Sequence, residues 1–120
     1  MYSLEFEIKD LPKTTNSKRS FGHWSQYHRE TQKWKRQLVP YLQSKRPSAA
    51  LRKARIVLIR KSSMEPDFDG LVSSFKHVLD SLVDARIIID DRPSVIQPEY
   101  RWEKATKGKG SISIRVEELD

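Results

Sequence analysis

Residues 55–91 read RIVLIRKSSMEPDFDGLVSSFKHVLDSLVDARIIIDD, and a strand–helix–strand unit is legible in them. Arg55-Ile56-Val57-Leu58-Ile59-Arg60 is a short continuous apolar run flanked by charges, the pattern of a central strand buried on both faces. Ser62 to Pro66 supplies turn residues. From Asp69 to Asp84, the side chains Leu71, Val72, Phe75, Val78, Leu79, Leu82 and Val83 recur at a period of 3.6. That spacing predicts one amphipathic helix, with Asp67 or Asp69 placed to cap its N-terminus. Ile87-Ile88-Ile89 is β-branched throughout and runs straight into Asp90-Asp91, so it reads as a second strand.

On the N-terminal side, Leu4, Phe6 and Ile8 alternate with Glu5, Glu7 and Lys9, which predicts a half-buried strand over 3–9. Leu11 to Phe21 is a polar loop. Trp24, Tyr27, Thr31, Trp34, Leu38 and Leu42 then fall on one helical stripe, predicting a helix over 22–42 that Pro40 should kink or end. On the C-terminal side, Glu99–Lys104 and Ser111–Glu117 read as two strands of a hairpin, with a basic tip at Lys107 and Lys109. The sum is β-α-β-α-β-β-β: a single small α+β domain over residues 1–120, a mixed sheet with two helices.

The charge is unevenly placed. The 120 residues carry a net +7, but residues 1–61 hold 15 Lys/Arg against 4 Asp/Glu, a net of +11. Residues 62–99 hold 3 against 8, a net of −5. A basic body suits a polyanion such as DNA, and Lys18, Arg19, Arg29, Lys33, Arg36, Lys107 and Lys109 are its candidate phosphate contacts. Eight carboxylates in its midst would repel that ligand unless something neutralises them. The chain has no Cys, which removes disulfides, thiolate zinc sites and cysteine nucleophiles and fits a reducing cytoplasm. No apolar run approaches the roughly 20 residues of a membrane span. Neither a P-loop nor a nucleophile elbow is present.

A strand returning along the helix would bring Asp90 and Asp91 back toward Asp67 and Asp69. Carboxylates gathered so closely cannot all stay ionised without a cation, and hard oxygen donors select Mg²⁺ or Mn²⁺, the ions of phosphoryl transfer. Against this stands a simpler reading, a helix cap at Asp67 or Asp69 and a solvated turn at Asp90-Asp91. Lys76 follows Asp69 by seven residues, so an unbroken helix would point both within about 20° of one another, roughly 10 Å apart along the axis. It would offset charge on a phosphorane-like transition state, or merely snorkel at the edge of the apolar stripe. His23, His28 and His77 form no metal-ligand spacing. Trp24 and Trp34 suit base stacking or the core.

The segment Asp67-Phe68-Asp69-Gly70-Leu71, Lys76, Asp80-Ser81-Leu82 and Asp90-Asp91 resembles the RusA-like Holliday junction resolvases of bacteria and phages. That family carries Asp-x-Asp at the head of a helix, a lysine within it, Asp-x-Leu further on and a terminal Asp-Asp. Leu11-Pro12, Asn16 and His23-Trp24 before a basic helix add to the likeness. Gly70 stands where the family usually has Asn, and Pro66 where a basic residue often precedes the first Asp. The resemblance implies a homodimeric, Mg²⁺-dependent endonuclease that nicks paired strands of four-way junctions. It implies Asp67, Asp69 and Asp91, with Asp90 beside it, as metal-site carboxylates and Lys76 as the catalytic lysine. A second expectation, from a different class, is a DNA-binding or architectural protein that keeps the fold without turnover.

Overall fold

The computed structural model describes residues 1–13 and 24–120, and the side chains of the first helix from residue 28 onward. Among the described residues, seven elements follow in chain order: β1 (Ser3–Ile8), α1 (Trp24–Gln43), β2 (Ala54–Ser62), α2 (Phe68–Ser74), α3 (Lys76–Asp84), β3 (Ile96–Lys104) and β4 (Ser111–Glu118). The strands form one mixed sheet in the order β1-β4-β2-β3. The α+β class and the mixed sheet match the sequence pattern, and the chain order matches it apart from the local differences below. None of the helices in the described residues is long and apolar enough to cross a membrane.

Alternation along the strands sorts their side chains between two faces. Phe6, Ile56, Leu58, Ile112, Ile114 and Val116 meet Trp34, Leu38 and Leu42 of α1, Phe75 between α2 and α3, and Val78 and Leu82 of α3 in one core. Each such fully buried side chain is worth about 1.5–3 kcal/mol relative to exposure. The apolar run of β2 is central, as expected, but it is not covered by helices on both faces. Val57 and Ile59 face the other way, flanked by Glu5, Arg101, Ser113 and Arg115. That outer face is laced by Lys61–Glu7 at 3.3 Å, Arg115–Glu5 at 3.2 Å, Arg55–Glu99 at 2.8 Å and an Arg101–Glu99 pair. Exposed pairs of this kind add little stability, but they keep a sheet face compatible with water.

Three local expectations are corrected. The stretch 99–104 and 111–117 is not a hairpin: β3 lies parallel to β2 at the sheet edge, and β4 inserts antiparallel between β1 and β2. The composition explains this. β3 is polar and carries Pro98, which an edge tolerates, whereas Ile112, Ile114 and Val116 need the burial of a central position. Ala105–Gly110 therefore crosses the end of β2, where the Ala105 amide donates to the Ser62 carbonyl at 2.9 Å. Gly108 makes the turn at φ +84°, a conformation that glycine adopts without steric cost.

The second correction concerns Ile87–Ile89, which shrinks from a strand to a single parallel bridge between Ile88 and Leu51. The slot beside β2 is taken by the longer β3, whose register with β2 begins at Ala54–Ile96. The third is the helix over 69–84, which breaks at Phe75 (φ −98°, ψ 2°) into α2 and α3. Ser73 and Ser74 donate their hydroxyls to the Gly70 and Leu71 carbonyls, and the Phe75 amide reaches back only three residues to Val72. Serine back-bonding of this kind bends helices. Pro40, by contrast, does not end α1, which continues to Gln43.

Two contacts offer direct tests of the packing. A Cβ added at Gly110 would lie 2.3 Å from Leu11 Cδ1 and 2.7 Å from its Cγ. Gly110→Ala is expected to cost about 1–3 kcal/mol of stability by overpacking. Adding Leu11→Ala should recover part of that loss in urea titrations; strictly additive effects would show that the clash is relieved elsewhere.

His77 on α3 is buried at 2% exposure and lies 3.1 Å from the Thr31 hydroxyl of α1 through Nδ1. Burial pushes its pKa below the ordinary 6.5; Glu30 and Asp80 pull it back up, while Lys35 and Lys76 push it further down. The folded state therefore holds a neutral imidazole where the unfolded chain binds a proton. Stability from this group is present above pH 6.5 and is lost as pH falls toward the folded pKa. Comparing urea unfolding at pH 7.5 and pH 5, His77→Gln should lose less stability on acidification than the wild type. An identical loss in both proteins would remove His77 from the acid response.

Candidate functional site

The site residues are set by the α2–α3 break and by the turn that precedes β3. Asp67 sits just before α2 in extended conformation, and its Oδ1 accepts a 2.7 Å hydrogen bond from the Gly70 amide. The capping role expected for Asp67 or Asp69 thus falls to Asp67. Asp69, in the first turn of α2, is exposed and has no ion pair among the described residues.

Lys76 opens α3 directly after the break, so it does not share a helix with Asp69, and the alignment expected across an unbroken helix is lost. Its Nζ instead donates to Asp91 Oδ2 at 3.1 Å and pairs with Asp80 Oδ1 at 3.3 Å, one turn along α3. Partial burial pulls the Lys76 pKa down. The hydrogen bonds and charges of Asp91 and Asp80 together outweigh it, so the ammonium is held above the ordinary lysine value. Asp90 turns away from this pair: its Oδ2 accepts from Arg92 Nε at 2.6 Å and its Oδ1 from the Asp91 amide at 2.7 Å. Those bonds hold its carboxyl below the usual carboxylate range.

A residue that pattern reading missed links the two halves. Tyr100 of β3 points to the helix side, in register with Leu58. Its ring meets Phe68 edge-on at a centroid distance of 6.5 Å and Phe75 at 6.1 Å. Burial first, and then the Asp91 carboxylate, raise the Tyr100 phenol pKa, with Lys76 opposing. Tyr100 therefore packs against Phe68 and Phe75 and feels the charges of Asp91 and Lys76. Its signal in the sequence was strand parity, since it shares a face with Trp102, whose Nε1 donates to Ser62 Oγ at 2.9 Å.

The donor chemistry here suits a hard divalent cation, because every candidate ligand is a carboxylate oxygen. The placement is looser than the expected cluster. Among the described residues no three His, Asp or Glu side chains gather closely enough to hold a metal ion. Asp91 is drawn to Lys76 and Asp90 to Arg92, so side-chain cations neutralise that half of the acidic segment.

Of the candidate DNA contacts, Lys18 and Arg19 lie outside the described residues. Arg29, Lys33 and Arg36 line exposed positions of α1. Lys33 pairs with Asp10 at 3.6 Å and rides 5.9 Å over the Trp34 ring, and Arg36 donates to the Gln32 carbonyl at 3.3 Å. Trp34 itself is fully buried, with its Nε1 donating to Glu30, so it belongs to the core and cannot stack on a base. Lys107 and Lys109 are exposed on the crossing loop rather than on a hairpin tip. No family model matches the chain. A search of curated proteins likewise finds no matching relative.

Proposed function

We propose that this chain is a structure-selective DNA endonuclease that resolves four-way junctions as a homodimer, with Mg²⁺ or Mn²⁺ as its cofactor. The observation that carries the reading is the meeting of Lys76 with Asp91, fifteen residues apart in the chain. The resemblance implies roles for both Lys76 and Asp91, and local periodicity gives no reason for their contact. The basic surface of α1 and the Lys107/Lys109 loop would hold the DNA arms through their phosphates. Asp67, Asp69 and Asp91 would be the metal ligands, and a bound cation would supply Lewis-acid polarisation of the scissile phosphate. Lys76 keeps a full positive charge beside Asp91, suited to a developing phosphorane. A two-fold protein would present two such sites to a two-fold junction.

The looseness of the carboxylates favours a second reading, a DNA-binding protein of the same fold without turnover. One assay separates them. Purified protein is incubated with a four-way junction, a flap and a linear duplex, with and without Mg²⁺ or Mn²⁺. Paired, metal-dependent nicks in the junction support the nuclease; tight binding with no nick under either metal supports the second reading and overturns the first.

A further inference from the structure

Phe68 stands between the two candidate carboxylates Asp67 and Asp69 and is 69% exposed. Its ring is nonetheless held in place. Tyr100 meets it edge-on at an interplanar angle of 86°, and Tyr100 leans in turn on Phe75, which has no exposed surface. An aromatic chain thus runs from the core to an open ring at the edge of the candidate site.

We propose that Phe68 is a stacking platform for an unpaired nucleobase at the branch point of bound DNA. The inference rests on the DNA-binding part of the reading above and not on its chemistry. One ring is far too small for a protein interface, which needs on the order of 800 Å² per partner, but it matches the face of a single base. With no cation bound, the carboxylates of Asp67 and Asp69, its neighbours in the chain, disfavour a phosphate and leave a neutral base as the component of DNA that can approach. In paired duplex both faces of each base are covered by neighbours, so the platform selects bases freed at a branch. Flat aromatic rings stack on any base, which makes the contact shape-selective and independent of sequence.

The test uses a four-way junction and a matched linear duplex, each carrying 2-aminopurine at the central position, in metal-free buffer with the full chain. Wild type should quench the junction probe and leave the duplex probe nearly unaltered. Phe68→Ala should lose the quench and bind the junction about tenfold more weakly or worse, with a smaller change on duplex. Phe68→Trp should restore both. Phe68→Ala that quenches and binds like wild type overturns the proposal. So does a Phe68→Ala protein that sediments at a smaller mass than wild type, because the ring would then serve a contact between copies. If the quench depends on Phe68 but no variant nicks DNA with Mg²⁺, the stacking site stands and the nuclease reading falls. Nicking by both proteins with a Phe68-independent quench has the opposite meaning.

Discussion

Asp69→Asn should bind a four-way junction at least as tightly as the wild type and nick it about a hundredfold more slowly, or not at all, with Mg²⁺. The carboxylate is exposed, and no ion pair among the described residues depends on it. Replacing it with an amide of the same shape should therefore shift stability by no more than about 0.5 kcal/mol. Removing a negative charge beside bound DNA favours affinity if it does anything. A metal-site carboxylate, by contrast, supports transition-state charge stabilisation worth several kcal/mol, and each 1.36 kcal/mol is about a tenfold change in rate. Nicking assays and gel-shift titrations on one preparation give both quantities. Wild-type nicking by Asp69→Asn would sink the assignment of this carboxylate. Asp67 needs separate treatment because it also caps α2. Asparagine caps nearly as well as aspartate, so Asp67→Asn tests chemistry, whereas Asp67→Ala adds a loss of about 1 kcal/mol in stability.

Phe75→Ala should cost about 3–5 kcal/mol of folding free energy, a large part of the stability of a domain this size. The side chain is fully buried at the α2–α3 break, packs against Tyr100 and belongs to the core shared by both helices and the sheet. With a slope of about 1–3 kcal/mol per molar urea, the midpoint should fall by about 1 M or more. Phe75→Leu keeps most of the volume and should lose less than half as much. A shift under about 1 kcal/mol for Phe75→Ala would mean that the break is held by something other than this ring. The Ser73 and Ser74 back-bonds to Gly70 and Leu71 are the alternative, and Ser74→Ala would expose it.

Much of the core was legible in the sequence. Trp34, Leu38 and Leu42 on α1, Phe75 at the α2–α3 break, Val78 and Leu82 on α3, and Ile112, Ile114 and Val116 on β4 are buried as their spacing demands. The site was legible only in part. Asp67, Asp69, Lys76 and Asp91 could be picked by residue type and by resemblance, but the bond from Lys76 to Asp91 and the place of Tyr100 could not. A break at Phe75 sets the direction in which Lys76 emerges, and it arises where serine hydroxyls compete for helical carbonyls.

By itself, then, the sequence determined which face of each element turns inward, because periods of 2 and 3.6 are properties of a few neighbouring residues. It also determined the acidic segment inside a basic chain. Only the tertiary structure decided that β4 lies between β1 and β2, that β3 runs parallel to β2 at the edge, and that Ile88 makes one bridge instead of a strand. Local periodicity says that a strand must be covered but not by which neighbour. That choice falls to competition among distant segments for the central positions, where the most apolar strands gain the most from burial.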